Sequence, residues 1–104
     1  MPYRVVFSPR ANAQLEALFS YLEGEAGAVT ASGYTGAIVS YCRGFDIFPH
    51  RGTRRDELRP GLRTIGFRRR VTIAFDIDAN MVTIIGIFYG GQDFEAIVRS
   101  RVQP

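Results

Sequence analysis

The chain has no tryptophan and no lysine, a single cysteine and a single histidine. One cysteine, Cys42, excludes an internal disulfide and agrees with a reducing compartment. With no histidine or acid beside it, Cys42 reads as a small core residue. One histidine, one cysteine and scattered carboxylates give no metal-ligand spacing. The Gly90-Gly91 pair lacks the lysine and the strand-to-helix setting of a phosphate loop, so no cofactor is expected. Apolar runs fall far short of the ~20 residues that a membrane span needs. The N-terminus also lacks the charged-then-apolar pattern of an export signal. These absences predict a cytoplasmic protein with no membrane partner.

What is present is an ordinary globular composition over 104 residues, 46% hydrophobic and 22% charged, which predicts a single domain spanning 1–104. The charge is unevenly placed. Residues 51–70 hold Arg51, Arg54, Arg55, Arg59, Arg63, Arg68, Arg69 and Arg70 against Asp56 and Glu57, a charge of +6. The whole chain carries +3, so the remainder carries −3. A patch of that sign steers acidic partners, nucleic acid or protein, and arginine's planar fork suits both phosphates and carboxylates.

Periodicity predicts an α+β order. Tyr3, Val5 and Phe7 alternate as a strand. Ser8 followed by Pro9 starts a helix whose Ala11, Leu15, Leu18, Phe19 and Leu22 share a stripe, and Gly24 and Gly27 stop it. A second helix from near Thr30 presents Tyr34, Ile38, Tyr41, Cys42 and Phe45. Its Gly36, Ser40 and Gly44 lie four apart and are expected to let the first helix approach closely, the alternative being a groove for a partner helix. An arginine-rich loop leads to three strands, Leu62 to Phe67, Arg70 to Ile77 and Met81 to Tyr89, with Asp78, Ala79 and Asn80 turning between the last two. The last strand has two apolar faces, Val82, Ile84 and Phe88 against Met81, Ile85 and Ile87, so it should lie inside the sheet or be covered on its second face. Asp93 would cap a short final helix carrying Phe94, Ile97 and Val98. The expected fold is thus an N-terminal strand, a helical hairpin, a mainly antiparallel three-stranded meander and a short C-terminal helix.

This order resembles the ParE-type toxins of the ParE/RelE toxin–antitoxin superfamily, also described as plasmid stabilisation proteins. The resemblance rests on Ser8-Pro9-Arg10-Ala11 after the first strand, the Leu15/Leu18/Tyr21 helix, and the Ile38/Cys42/Phe45 helix running into Phe48-Pro49-His50-Arg51-Gly52. It continues through Gly61-Leu62-Arg63, Phe75-Asp76-Ile77-Asp78, the Val82/Ile84/Ile87 strand and Tyr89-Gly90-Gly91-Gln92-Asp93. Many relatives carry histidine and arginines around that last motif, where this chain has Tyr89 and Gln92. The resemblance implies a toxin silenced by a cognate antitoxin that wraps the hairpin and sheet, acting by inhibiting DNA gyrase.

RelE-type relatives share the fold and cleave mRNA on the ribosome, which needs a proton acceptor, a proton donor and a cation at the phosphate. In this chain the family's C-terminal tyrosine position falls at Ile97 or Val98, and the basic position of the middle strand at Thr72. The set is incomplete, so a binder is expected rather than an enzyme, and no catalytic residue is assigned. His50, at a helix end without a neighbouring carboxylate, reads as a loop or cap residue. Arg63, Arg68, Arg69 and Arg70, with Tyr89, are the expected partner-binding residues. Alternative readings are the RelE-type nuclease and a nucleic-acid-binding module. The last is weakened by the lack of aromatics interleaved with the arginines, Phe67 aside.

Overall fold

A computed structural model describes residues 2–90. The expected final helix, with Gln92, Asp93, Phe94, Ile97 and Val98, lies outside them. Strand β1 (Arg4–Phe7) leads into helix α1 (Pro9–Ala26), helix α2 (Ala28–Arg43) and a short 3-10 turn (Gly44–Asp46). Strands β2 (Thr53–Arg54), β3 (Arg63–Phe67), β4 (Val71–Asp78) and β5 (Met81–Tyr89) follow. They form one five-stranded sheet in the order β1-β5-β4-β3-β2, antiparallel except where β1 runs parallel to β5. The α+β class is as expected, and β5 lies inside the sheet. β2 arises within the segment expected to be loop, because Thr53 and Arg54 pair with Thr64 and Arg63.

Ser8 does two jobs at the start of α1. Its Oγ accepts the Ala11 amide at 3.0 Å, an N-cap, while its hydroxyl donates to the Ile85 carbonyl at 2.9 Å and ties the helix to β5. Gly24 does not stop the helix. It lies inside α1, and Gly27 alone, at φ +93°, separates it from α2, so the second helix begins two residues earlier than its pattern suggested.

Both helices pack on one face of the sheet. Ala11, Leu18, Ile38, Cys42 and Phe45 meet Val71, Ile73, Phe75, Val82, Ile84 and Ile87 in the main core. The Phe45 and Phe75 rings lie 4.8 Å apart, a contact contributing about 0.5–1.5 kcal/mol beyond its buried area. Cys42 is fully buried and its thiol is pushed up to about 12 by that burial, the expected core role. Leu58 and Leu62 fold over the opposite face onto Ala74 and Phe88, covering part of it from within the chain.

Two expectations are corrected. The alternation expected along β5 breaks where the register with β4 shifts between Ala74 and Phe75. The bulge adds one residue, so Ile87 joins Val82 and Ile84 in the main core while Phe88 turns to the face of Ile85. The small residues of α2 do not seat the first helix: a Cβ built at Gly36 or Gly44 meets nothing within 4 Å. Gly36 and Ser40 instead line an open groove of about 610 Å³ with Leu15, Phe19 and Val39.

Candidate binding surface

The arginine-rich segment divides in two. In the loop half the cations are used internally. Arg54 reaches Asp56 at 2.9 Å, Arg55 reaches Glu57 at 2.7 Å, and Arg59 approaches Asp76 at 4.0 Å. Arg51 stacks 4.9 Å from the Phe45 ring centre and donates through Nε to the Phe48 carbonyl. Asp56 also accepts the Gly61 amide at 2.9 Å, and that hydrogen bond, more than the Arg54 charge, holds its carboxyl below the ordinary range.

Arg63 belongs to this half. It pairs with Phe75 at the start of β3 and donates to the Arg51 carbonyl at 3.2 Å. Along the strand it stands roughly 14 Å from Phe67. The expected five-residue surface is therefore not continuous: the structure joins Arg68, Arg69, Arg70 and Tyr89 and leaves Arg63 apart.

Arg68, Arg69 and Arg70 form the exposed β3–β4 turn. Arg68 and Arg69 have φ of +51° and +66°, a left-handed backbone that costs side-chain-bearing residues on the order of 1–3 kcal/mol each. Glycine or asparagine would adopt it more easily. Among the described residues no carboxylate forms an ion pair with any of the three.

Tyr89 lies beside this turn because it pairs with Val71 at the start of β4, and the Gly90 amide donates to the Arg70 carbonyl at 2.7 Å. Around it the helices supply aromatic rings. Tyr21, on α1, is 6.0 Å from Tyr89; Tyr34, on α2, is 6.1 Å from Tyr89; and Phe67, at the end of β3, is 6.5 Å from Tyr34. The Arg68 guanidinium sits 5.0 Å from the Phe67 ring centre and 5.8 Å from that of Tyr34. Tyr21 is 55% exposed, while Tyr34, Phe67 and Tyr89 are half-buried. A cavity of about 450 Å³ opens beside them, lined by Leu18, Tyr21, Arg70, Ile87 and Tyr89. Its back wall is fixed by Gln14, whose Oε1 accepts the Ile87 amide at 2.7 Å just past the bulge.

The Tyr34 hydroxyl oxygen is buried and finds no hydrogen-bond partner among the described residues. An unmet buried hydroxyl costs about 1–3 kcal/mol. Burial raises its pKa, Tyr89 adds to the rise, and Arg68 and Arg70 oppose it. The sequence pattern placed Tyr34 in the core stripe and passed over Gln14. The available signal was that a tyrosine within an apolar stripe carries a hydroxyl needing a partner.

His50 lies elsewhere, edge-on to Tyr3 at 6.1 Å. Tyr3 precedes Arg4, which pairs with Met81, so His50 is near the opposite end of β5 from Tyr89, roughly 27 Å along the strand. Among the described residues no group of three histidines, cysteines or carboxylates could hold a metal. None of their helices is long and apolar enough to cross a membrane.

Comparison with known proteins places this arrangement in context. A family model described as the ParE toxin of the type II toxin–antitoxin system, parDE, matches residues 5–94. Among solved structures, a chain of the chromosomal ParDE TA system from P. aeruginosa superimposes with a TM-score of 0.75 at 20% identity, covering 85% of this chain and 96% of that one. A chain of the RelBE2 toxin–antitoxin complex from Mycobacterium tuberculosis gives a TM-score of 0.59 at 19% identity, covering 86% and 99%. At such identities these likenesses establish the shared fold. No curated protein matches the sequence.

Proposed function

Because the chain belongs to the ParE toxin family of type II toxin–antitoxin systems, we propose that it is a cytoplasmic toxin that inhibits DNA gyrase by binding and is neutralised by a cognate antitoxin. The observation that carries the binding role is the Arg68–Arg70 turn: three exposed arginines with no ion-paired carboxylate among the described residues, two of them in strained backbone. Arg68 gains ring contacts inside the fold, and an acidic partner would supply the charge that the turn lacks among the described residues. The open groove lined by Leu15, Phe19, Gly36 and Val39 on the helical hairpin supports the antitoxin reading, since an amphipathic segment can lay its apolar face there.

A non-enzymatic mode of action is supported by the chemistry of the turn. Arginine stays protonated at any usable pH and is a poor general base. Burial raises the Tyr34 hydroxyl, which makes it a weaker acid still. The test is a gyrase supercoiling assay with the purified full chain, run beside a translating-ribosome assay with mapped mRNA ends. Loss of supercoiling that adding the antitoxin reverses is expected. Codon-phased mRNA cuts with unimpaired gyrase would replace this reading with a RelE-type nuclease.

A further inference from the structure

The rings of Tyr21, Tyr89, Tyr34 and Phe67 form a row, with successive centres 6.0, 6.1 and 6.5 Å apart, that crosses from α1 over β5 to the crest of β3. Arg68 lies over two of these rings and Arg70 edges the cavity at the other side of Tyr89. In sequence these residues are scattered between positions 21 and 89, so no interleaved motif announces them. Rings, cations and a concave space together are what single strands of nucleic acid require. Phosphates pair with guanidinium groups, and each base has a flat face that stacks on an aromatic side chain whatever its identity.

We propose that this surface binds a single strand of nucleic acid, with the Arg68–Arg70 turn on its phosphates and a base lodged beside Tyr21 and Tyr89. The strained turn has a purpose under this arrangement, since it presents arginine fans at the end of the ring row where glycine would present nothing. An acidic peptide would engage the arginines equally well, yet its carboxylates leave the ring row and the cavity of about 450 Å³ unused. The binding stands independently of gyrase, because it concerns the free chain and a bare strand.

The experiment is fluorescence anisotropy of the full chain against a labelled oligothymidylate of about eight nucleotides, within the usual site size of such surfaces. Thymidine monophosphate, the matching duplex and an oligoglutamate peptide serve as comparison probes. The strand is expected to bind more tightly than all three, with a log–log salt slope of about −1.4 to −2.1 for two or three neutralised phosphates. Equal binding of the mononucleotide would assign the same base-and-phosphate chemistry to a free nucleotide. Tyr21→Ala should weaken the strand about tenfold through lost stacking. Strand binding unchanged in a Tyr21→Ala variant whose melting temperature matches the parent's, tighter binding of the peptide or the duplex, or no strand binding at low salt would each overturn the proposal.

Discussion

The two halves of the arginine-rich segment use one residue type in opposite ways. Between residues 51 and 63 the guanidinium groups are tied to Asp56, Glu57, Asp76, backbone carbonyls and the Phe45 ring, and they stitch a loop to the edge of the sheet. Between residues 68 and 70 they project from a strained turn with no carboxylate among the described residues to answer them. Net charge alone would have treated both as one patch. What separates them is that, among the described residues, every ion pair of the segment lies in the first half.

The comparison breaks most visibly at Gly52, which lets the loop half close. Its φ is +76°, and an added Cβ would press on the Thr64 carbonyl oxygen and come within 3.1 Å of the Ile65 Cβ. Gly52→Ala should therefore cost about 3 kcal/mol in chemical denaturation, from left-handed strain plus backbone overlap. Replacing Arg68, Arg69 and Arg70 together by alanine should do the reverse, leaving the unfolding midpoint nearly unmoved while antitoxin affinity drops at least about tenfold and its salt dependence flattens. Calorimetric titration at two salt concentrations checks both parts. If affinity and toxicity survive, the turn is only a solvated surface.

Gly36→Ala should stabilise the free chain by up to about 1 kcal/mol, since the position is helical and a Cβ there meets nothing. A weaker antitoxin complex from the same variant would show that the groove is occupied in it. The smallest effect concerns Asp76, whose carboxyl is raised by burial and by Asp78 and lowered by Arg59. A raised carboxyl binds its proton more readily folded than unfolded, so stability falls as pH rises through the window above the ordinary aspartate value. Asp76→Asn should thus raise the melting temperature near neutrality, and the gain should vanish below about pH 4, where both states are protonated.

Much of the fold was legible because its signals are local. Ser8-Pro9 announced α1, alternation announced β4, and Met81 to Tyr89 bounded β5 as observed. The misses came from pairings that one strand cannot announce. The β5 bulge depends on its register with β4, and β2 exists only because β3 lies beside it. The candidate surface was half legible. Arg68, Arg69, Arg70 and Tyr89 lie together, but Arg63 was grouped with them by sequence proximity, whereas a strand carries neighbours apart. Tyr34 was read from helical spacing as a packing residue, and Tyr21 was named only among the residues carrying the family resemblance. Their rings do pack, and spacing carries no information about an unmet hydroxyl or about rings aligned across three elements.

The division of the segment is tested most directly by gyrase supercoiling with three purified proteins: the parent chain, Arg68→Ala/Arg69→Ala/Arg70→Ala, and Arg51→Ala/Arg54→Ala. The parent and the loop variant should inhibit alike, and the turn variant should fail to inhibit at concentrations where its melting curve matches the parent's. Inhibition retained by the turn variant and lost by an equally folded loop variant would contradict the proposed assignment of function to the turn.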